Sequence, residues 1–285
     1  MRSEKEMMDL ILGTAREDDR IRAVWMNGSR TNPNAKKDIF QDYDIVYAVT
    51  DVSSFTAGHS WVDRFGERII MQMPDASAWP KDEPREAFAY LMQFEDGNRI
   101  DLTLVPSQNV SDIMEKQESL TKILLDKDDQ LPKIDPPNDR DYHVKKPTEA
   151  EFLSCCNEYW WVSLYVAKGL WREEVLYAKG MLDGPVRAAL IQMLDWKVGI
   201  EHDFKISMGK FSKELRHYLD KTTWQRLLET YPTVDIEQIW QTLYLMADLF
   251  HDVAKHNAEM LDYHYNEKEE QYVRNYLKRI RNNEI

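Results

Sequence analysis

Residues 126–152, DKDDQLPKIDPPNDRDYHVKKPTEAEF, divide this chain more sharply than any other stretch. Proline removes a backbone donor and aspartate competes for backbone hydrogen bonds, so this density of both holds neither a helix nor a central strand. Before the divide, apolar residues alternate; after it, they recur at helical spacing. The pattern predicts an α+β chain: a mixed sheet with helices over residues 1–135, a linker over 136–147, and an all-helical domain over 148–285. A length of 285 residues accommodates two domains.

In the first half, Ser3-x-x-Glu6 is a capping box, and Met8, Ile11, Leu12 and Ala15 predict an amphipathic helix behind it. Ile21 to Met26 reads as a strand ending at Asn27-Gly28. A second runs from Tyr43 to Val49, apolar on both faces, as a central strand covered on each side requires. Helix is expected over 54–65 and a short strand over 68–73. Residues 87–105 form a hairpin around Glu95-Asp96-Gly97-Asn98. In the second half, Thr148-x-x-Glu151 caps the first helix. Helical segments are expected over 149–180, 184–200, 208–219, 222–230 and 235–265, followed by a charged terminal helix.

Composition excludes several function classes. The net charge of -13 opposes the basic face that grips a nucleic-acid backbone and favours cationic or metal-complexed ligands. The two cysteines, Cys155 and Cys156, are adjacent, which suits neither a disulfide framework nor a zinc site. No apolar run reaches the ~18 residues of a membrane span. The N-terminus lacks the apolar core of a signal peptide, so a cytoplasmic protein is expected.

The chemistry concentrates in NGSR, twelve residues after its serine, then DYD, and later a third carboxylate. Asp42 and Asp44 share one strand face because side chains alternate with period 2. Like charges side by side destabilise a strand unless something positive sits between them, and a divalent metal meets that need. Mg²⁺ takes oxygen ligands shared with phosphates and water. Gly28 lets the backbone approach a phosphate, and Ser29 offers a hydroxyl to its oxygens. Asp101 stands within the return strand of the hairpin, sharing a face with Arg99, Thr103 and Val105. There it can complete a two-metal site or take a proton from a nucleophile.

The residues NGSR…QDYDIVY resemble the signature of the nucleotidyltransferase superfamily that includes the DNA polymerase β fold. With YWWVSLYVAKGLWREEVLYAKGMLD in the helical half, the whole chain resembles the bacterial aminoglycoside 6-adenylyltransferases, the streptomycin-modifying group. The resemblance implies a polymerase-β-like catalytic domain and transfer of AMP from ATP to a streptomycin hydroxyl at the 6-position, releasing pyrophosphate, in a cleft between the domains. It implies that Gly28, Ser29 and Arg30 hold ATP phosphates and that Asp42 and Asp44 bind Mg²⁺, two ions in all. Asp101 would bind metal, act as general base, or both, with Glu95 as the other candidate base. Lys168 corresponds to a second-domain lysine set against the triphosphate. Some relatives carry a glutamate base one turn before that lysine; here the position is Leu164.

The implied partners are ATP and a cationic aminoglycoside, with no nucleic acid and no membrane; a monomer and a homodimer both fit. Glu158, Glu173, Glu174 and Asp195 are candidates to face its guanidinium groups, and Trp161 to stack on it, while one of Trp160 and Trp161 belongs to the core. Two rivals remain open: a nucleotidyltransferase acting on RNA or protein, and a non-catalytic nucleotide-binding module.

Overall fold

The computed structural model describes residues 1–79 and 86–284. It divides into two compact units, Met1–Asp141 and Tyr142–Ile285. The first is a six-stranded mixed sheet with helices and the second is built of helices, which is the α+β arrangement expected from the sequence.

Helix α1 (Glu4–Glu17) opens on a complete capping box. Ser3 accepts from the Glu6 N–H and the Glu6 carboxylate accepts from the Ser3 N–H. Its buried stripe is Met7, Ile11, Thr14 and Ala15, rotated one residue from the expected Met8 face. The strands are β1 (Ile21–Asn27), β2 (Tyr43–Val49), β3 (Arg68–Gln72), β4 (Phe88–Phe94), β5 (Arg99–Pro106) and β6 (Lys122–Asp126), in the spatial order β3-β4-β5-β2-β1-β6. Only the β2–β5 pair is parallel. The helix expected over 54–65 is not continuous. Gly58 lies in a break between the short α2 (Ser53–Thr56) and a 3₁₀ segment, Ser60–Phe65.

Strand β2 is interior and covered on both faces. Tyr43, Ile45, Tyr47 and Val49 enter the main core with Met7, Ile11 and the inward side chains of β4 and β5. On the other face Val46 and Ala48 join Ala23, Trp25 and Val105 beneath Val110 and Met114 of α3 (Val110–Glu115). Neither α3 nor β6 was expected from the sequence. That cover stops short of Asp44 and Asp101, so the carboxylates sit at the uncovered end of an otherwise packed sheet face.

The second unit contains α4 (Glu149–Trp171), α5 (Val175–Met181), α6 (Arg187–Glu201), α7 (Leu215–Tyr218), α8 (Lys221–Glu229), α9 (Ile236–Leu261) and α10 (Glu267–Arg281) around one apolar core. The helix expected over 149–180 is broken at Arg172–Glu174, with Glu173 left-handed at φ 59°. Gly169 permits the fold-back: a Cβ there would lie 2.9 Å from the Tyr177 ring and 3.1 Å from the Ala178 Cβ. The expected helix over 208–219 shrinks to α7, because Gly209, Phe211 and Ser212 all adopt positive φ. Cys155 and Cys156 are free thiols against the core, and burial pushes Cys155 up to about 12. Among the described residues no helix is long and apolar enough to cross a membrane.

Candidate active site

The parallel register sets Asp44 on β2 directly beside Asp101 on β5, while on its other side Asp44 pairs with Asn27 of β1. Three polar side chains from three strands therefore form a row across the sheet. Asn27 is steadied by Thr121, whose hydroxyl donates to its Oδ1 at 2.9 Å. Asp42 precedes β2 by one residue, and its Oδ2 lies 3.6 Å from the Nε of Arg99.

Gly28 follows β1 at φ 77°. A Cβ built there would stand 2.2 Å from Asp44 Oδ2, so the turn has room for the carboxylate only because residue 28 has no side chain. The Gly28 N–H donates to the Leu120 carbonyl at 3.1 Å, and the Gly28 carbonyl accepts from Thr31. The exposed Ser29 is next. Arg30 does not project free: it donates to the carbonyls of Gln41 and Asp42 at 2.8 and 3.1 Å and stacks 3.7 Å from the centre of the Tyr43 ring. It thereby ties the glycine turn to the start of β2.

Arg99, one step along the same face from Asp101, supplies the positive charge. Its Nε and Nη2 donate to the two oxygens of Asp101 at 2.8 Å each, and its Nε lies 3.6 Å from Asp42 Oδ2. Burial, then the neighbouring Asp101 and Asp42 charges, push the Asp44 carboxyl up to about 6. Burial also raises Asp42, against the pull of Arg99. Sequence reasoning placed Arg99 on this face without assigning it a task, and passed over Asn27. Both could have been found by their alternation with Asp101 and their adjacency to Gly28.

Among the described residues no three His, Cys, Asp or Glu side chains gather as a metal-holding group. The trio Asp42, Asp44 and Asp101 is thus not a closed ligand set, because Asp101 is fastened to Arg99. Asp42 and Asp44 by themselves still fit Mg²⁺, which is ordinarily held by one or two carboxylates with substrate phosphates and water. Two carboxylates whose charge is opposed by burial and by the neighbouring Asp101 favour a cation as a further partner.

In the helical unit Glu158, Trp161, Tyr165 and Lys168 share one face of α4 by their spacing. Glu158 and Lys168 are exposed, and Trp161 is 56% exposed, donating from Nε1 to the Tyr165 hydroxyl at 2.9 Å. Lys168 Nζ lies 4.8 Å from the centre of the Tyr165 ring. Trp160 is the core member of the pair, 2% exposed. Glu173 and Glu174 are exposed in the turn after α4, and Glu95 is exposed in the β4–β5 turn.

Asp195 differs from these acids. Ser212 donates to its Oδ2 at 2.7 Å, its buried Oδ1 has no partner among the described residues, and burial pushes the carboxyl up to about 6. The folded state therefore holds this proton more tightly than the unfolded chain does. Its contribution to stability falls as pH rises from about 4 to about 6. Asp195→Asn is expected to melt higher than wild type above pH 6, by roughly 2–4 °C per kcal/mol regained, with the gap closing towards pH 4. Thermal melts across that range test this; a variant less stable at every pH would show that the carboxylate is needed as an acceptor.

The model of the family described as streptomycin adenylyltransferase matches residues 1–280. The aminoglycoside 6-adenylyltransferase of Bacillus subtilis (strain 168) is 43% identical over 270 residues, covering 95% of each chain. That of Campylobacter jejuni is 43% identical over 277 residues, 96% of this chain and 95% of the relative. The Staphylococcus aureus protein of the same name is 36% identical over 284 residues, 99% of each. A crystal structure of an aminoglycoside 6-adenyltransferase from Bacillus subtilis matches at 38% identity and a TM-score of 0.49, covering 98% of this chain and 99% of that one. The family match spans the glycine turn, the carboxylate row and the helical unit alike, and the protein belongs to the streptomycin adenylyltransferase family, a family of enzymes.

Proposed function

We propose that the protein is an aminoglycoside 6-adenylyltransferase that transfers AMP from ATP to the 6-hydroxyl of streptomycin and releases pyrophosphate. The observation that carries this reading is the pairing of Asp44 with Asp101 across β2 and β5, with the Gly28 turn against the Asp44 carboxylate. The names of the relatives support the substrate class.

In this reading the hydroxyl oxygen attacks the α-phosphorus, the bond to the β-phosphate oxygen breaks, and the hydroxyl proton passes to a carboxylate. Asp101 is better placed for that proton than Glu95, since it lies beside Asp44 in the row. The Gly28 N–H is engaged by Leu120, so this glycine contributes space, and the donors for ATP phosphates come from Ser29. Arg30 acts as a strut, and Lys168 supplies a cation for the triphosphate. Asp42 and Asp44 would hold Mg²⁺, which when bound supplies charge stabilisation at the phosphates. Glu158, Trp161 and Glu173 are assigned to the aminoglycoside. Their exposure bounds their individual value, because solvent-exposed ion pairs contribute about 0–1 kcal/mol each.

Streptomycin carries two guanidinium groups, which suit planar carboxylate pairing better than the amines of kanamycin. Streptomycin is expected to be adenylylated at least about tenfold faster than kanamycin at equal low concentration, a difference of about 1.4 kcal/mol. Mass detection of the AMP adduct together with pyrophosphate release tests this. Equal rates on both antibiotics would remove the streptomycin assignment, and AMP attachment to RNA ends alone would remove the aminoglycoside.

A further inference from the structure

We infer that Arg99 is a displaceable counter-cation of the carboxylate row, a positioning residue that holds Asp101 until a divalent cation takes its place. The inference rests on the proposed metal-dependent reading of the site and adds a residue to which that reading gives no task. Three observations carry it. Arg99 grips both oxygens of Asp101 at 2.8 Å, so the carboxylate presents its full face to the guanidinium fork. Its Nε also lies 3.6 Å from Asp42, so one guanidinium serves two of the three carboxylates. Arg99 is not locked in place: its side chain is 40% exposed, against 21% for Asp101, leaving it room to swing towards solvent.

A divalent cation and a guanidinium competing for the same oxygens repel one another, so both cannot hold Asp101 closely. The ion pair keeps three neighbouring carboxylates at a tolerable charge in the folded chain. When a cation binds at Asp42 and Asp44, Arg99 loses its place there and Asp101 is released to face the same site. The freed guanidinium is suited to a phosphate oxygen of the incoming nucleotide, which offers the geometry that the fork already uses on Asp101.

Metal alone tests this on the full chain. Mn²⁺ affinity, followed by the free-ion electron paramagnetic resonance signal without nucleotide or antibiotic, is expected to rise about twofold to fivefold in Arg99→Ala, as fits loss of one partly exposed competing ion pair. Arg99→Gln, which keeps a polar side chain on the strand, should show the same gain if the alanine variant folds poorly. In an Asp101→Asn background the gain should shrink, because only the longer contact with Asp42 at 3.6 Å is left to compete for. Equal or weaker Mn²⁺ binding by the neutral variants, or an undiminished gain with Asn at 101, would overturn the inference. In the wild-type chain the Arg99 Nε–H proton resonance should move as Mg²⁺ saturates, and a resonance that stays fixed would also overturn it. None of these readouts uses streptomycin or turnover, so failure of the adenylyltransferase reading would leave them intact, and their failure would leave that reading standing.

Discussion

Asp44→Asn is expected to lower AMP transfer by at least about a thousandfold at saturating ATP, antibiotic and Mg²⁺, each factor of ten being about 1.4 kcal/mol. Asp44 stands in the middle of the row, between Asn27 and Asp101, and is the carboxylate that the Gly28 turn accommodates. Asparagine keeps the shape and one acceptor oxygen but removes the charge that a cation needs. The fold should not suffer. Because the folded value of about 6 lies above the unfolded one, ionised Asp44 opposes folding, and this contribution grows less favourable as pH rises from about 4 to about 6. In metal-chelating buffer at pH 7.5 the variant should therefore melt no lower than wild type, with any advantage fading towards pH 4. Near-wild-type turnover at saturating Mg²⁺ would remove Asp44 from the mechanism. A collapsed melting temperature would instead assign it a structural task.

Gly28→Ala should have the next largest effect, and it reaches the same carboxylate from the other side. The new Cβ would meet Asp44 Oδ2 at 2.2 Å and Cγ at 3.1 Å, so either the carboxylate or the turn must move. Residue 28 also sits at φ 77°, a region that costs a non-glycine residue roughly 1–2 kcal/mol. Turnover is expected to fall about a hundredfold, since misplacement of a reacting group by about 1 Å costs that much. Loss of several degrees of thermal stability should accompany it. If the damage passes through Asp44, adding Gly28→Ala to Asp44→Asn should cost little further activity, a non-additivity that a double-mutant cycle measures. Full additivity would place the role of Gly28 elsewhere, for example in aiming Ser29.

Much of this site could be read along the chain. Asp42 and Asp44 showed their one-residue spacing, the Asp-Gly turn of the β4–β5 hairpin was marked by Asp96-Gly97, and the glycine after β1 was marked by its neighbours Asn27 and Ser29. Those are local signals, spoken by residues within a few positions of each other. The errors fell where a distant contact decided the outcome. Strand β6 earns its place only by pairing with β1, a hundred residues earlier in the chain. Glu173 turns left-handed because α5 folds back on Gly169, which a helical spacing pattern does not announce.

By itself, then, the amino-acid order determined the class of the fold and the one-residue spacing of Asp42 and Asp44, because period 2, period 3.6 and turn chemistry are properties of neighbouring residues. The tertiary structure decided what stands beside what. The parallel register of β2 and β5, held by cores on both faces, brought Asp101 level with Asp44, and a slip of one residue would have turned it to the opposite side. The same register brought Arg99 within reach of Asp42, and the left-handed turn after β1 brought Gly28 against Asp44. Those adjacencies join residues more than fifteen positions apart, and only packing and interstrand hydrogen bonds bring such residues together.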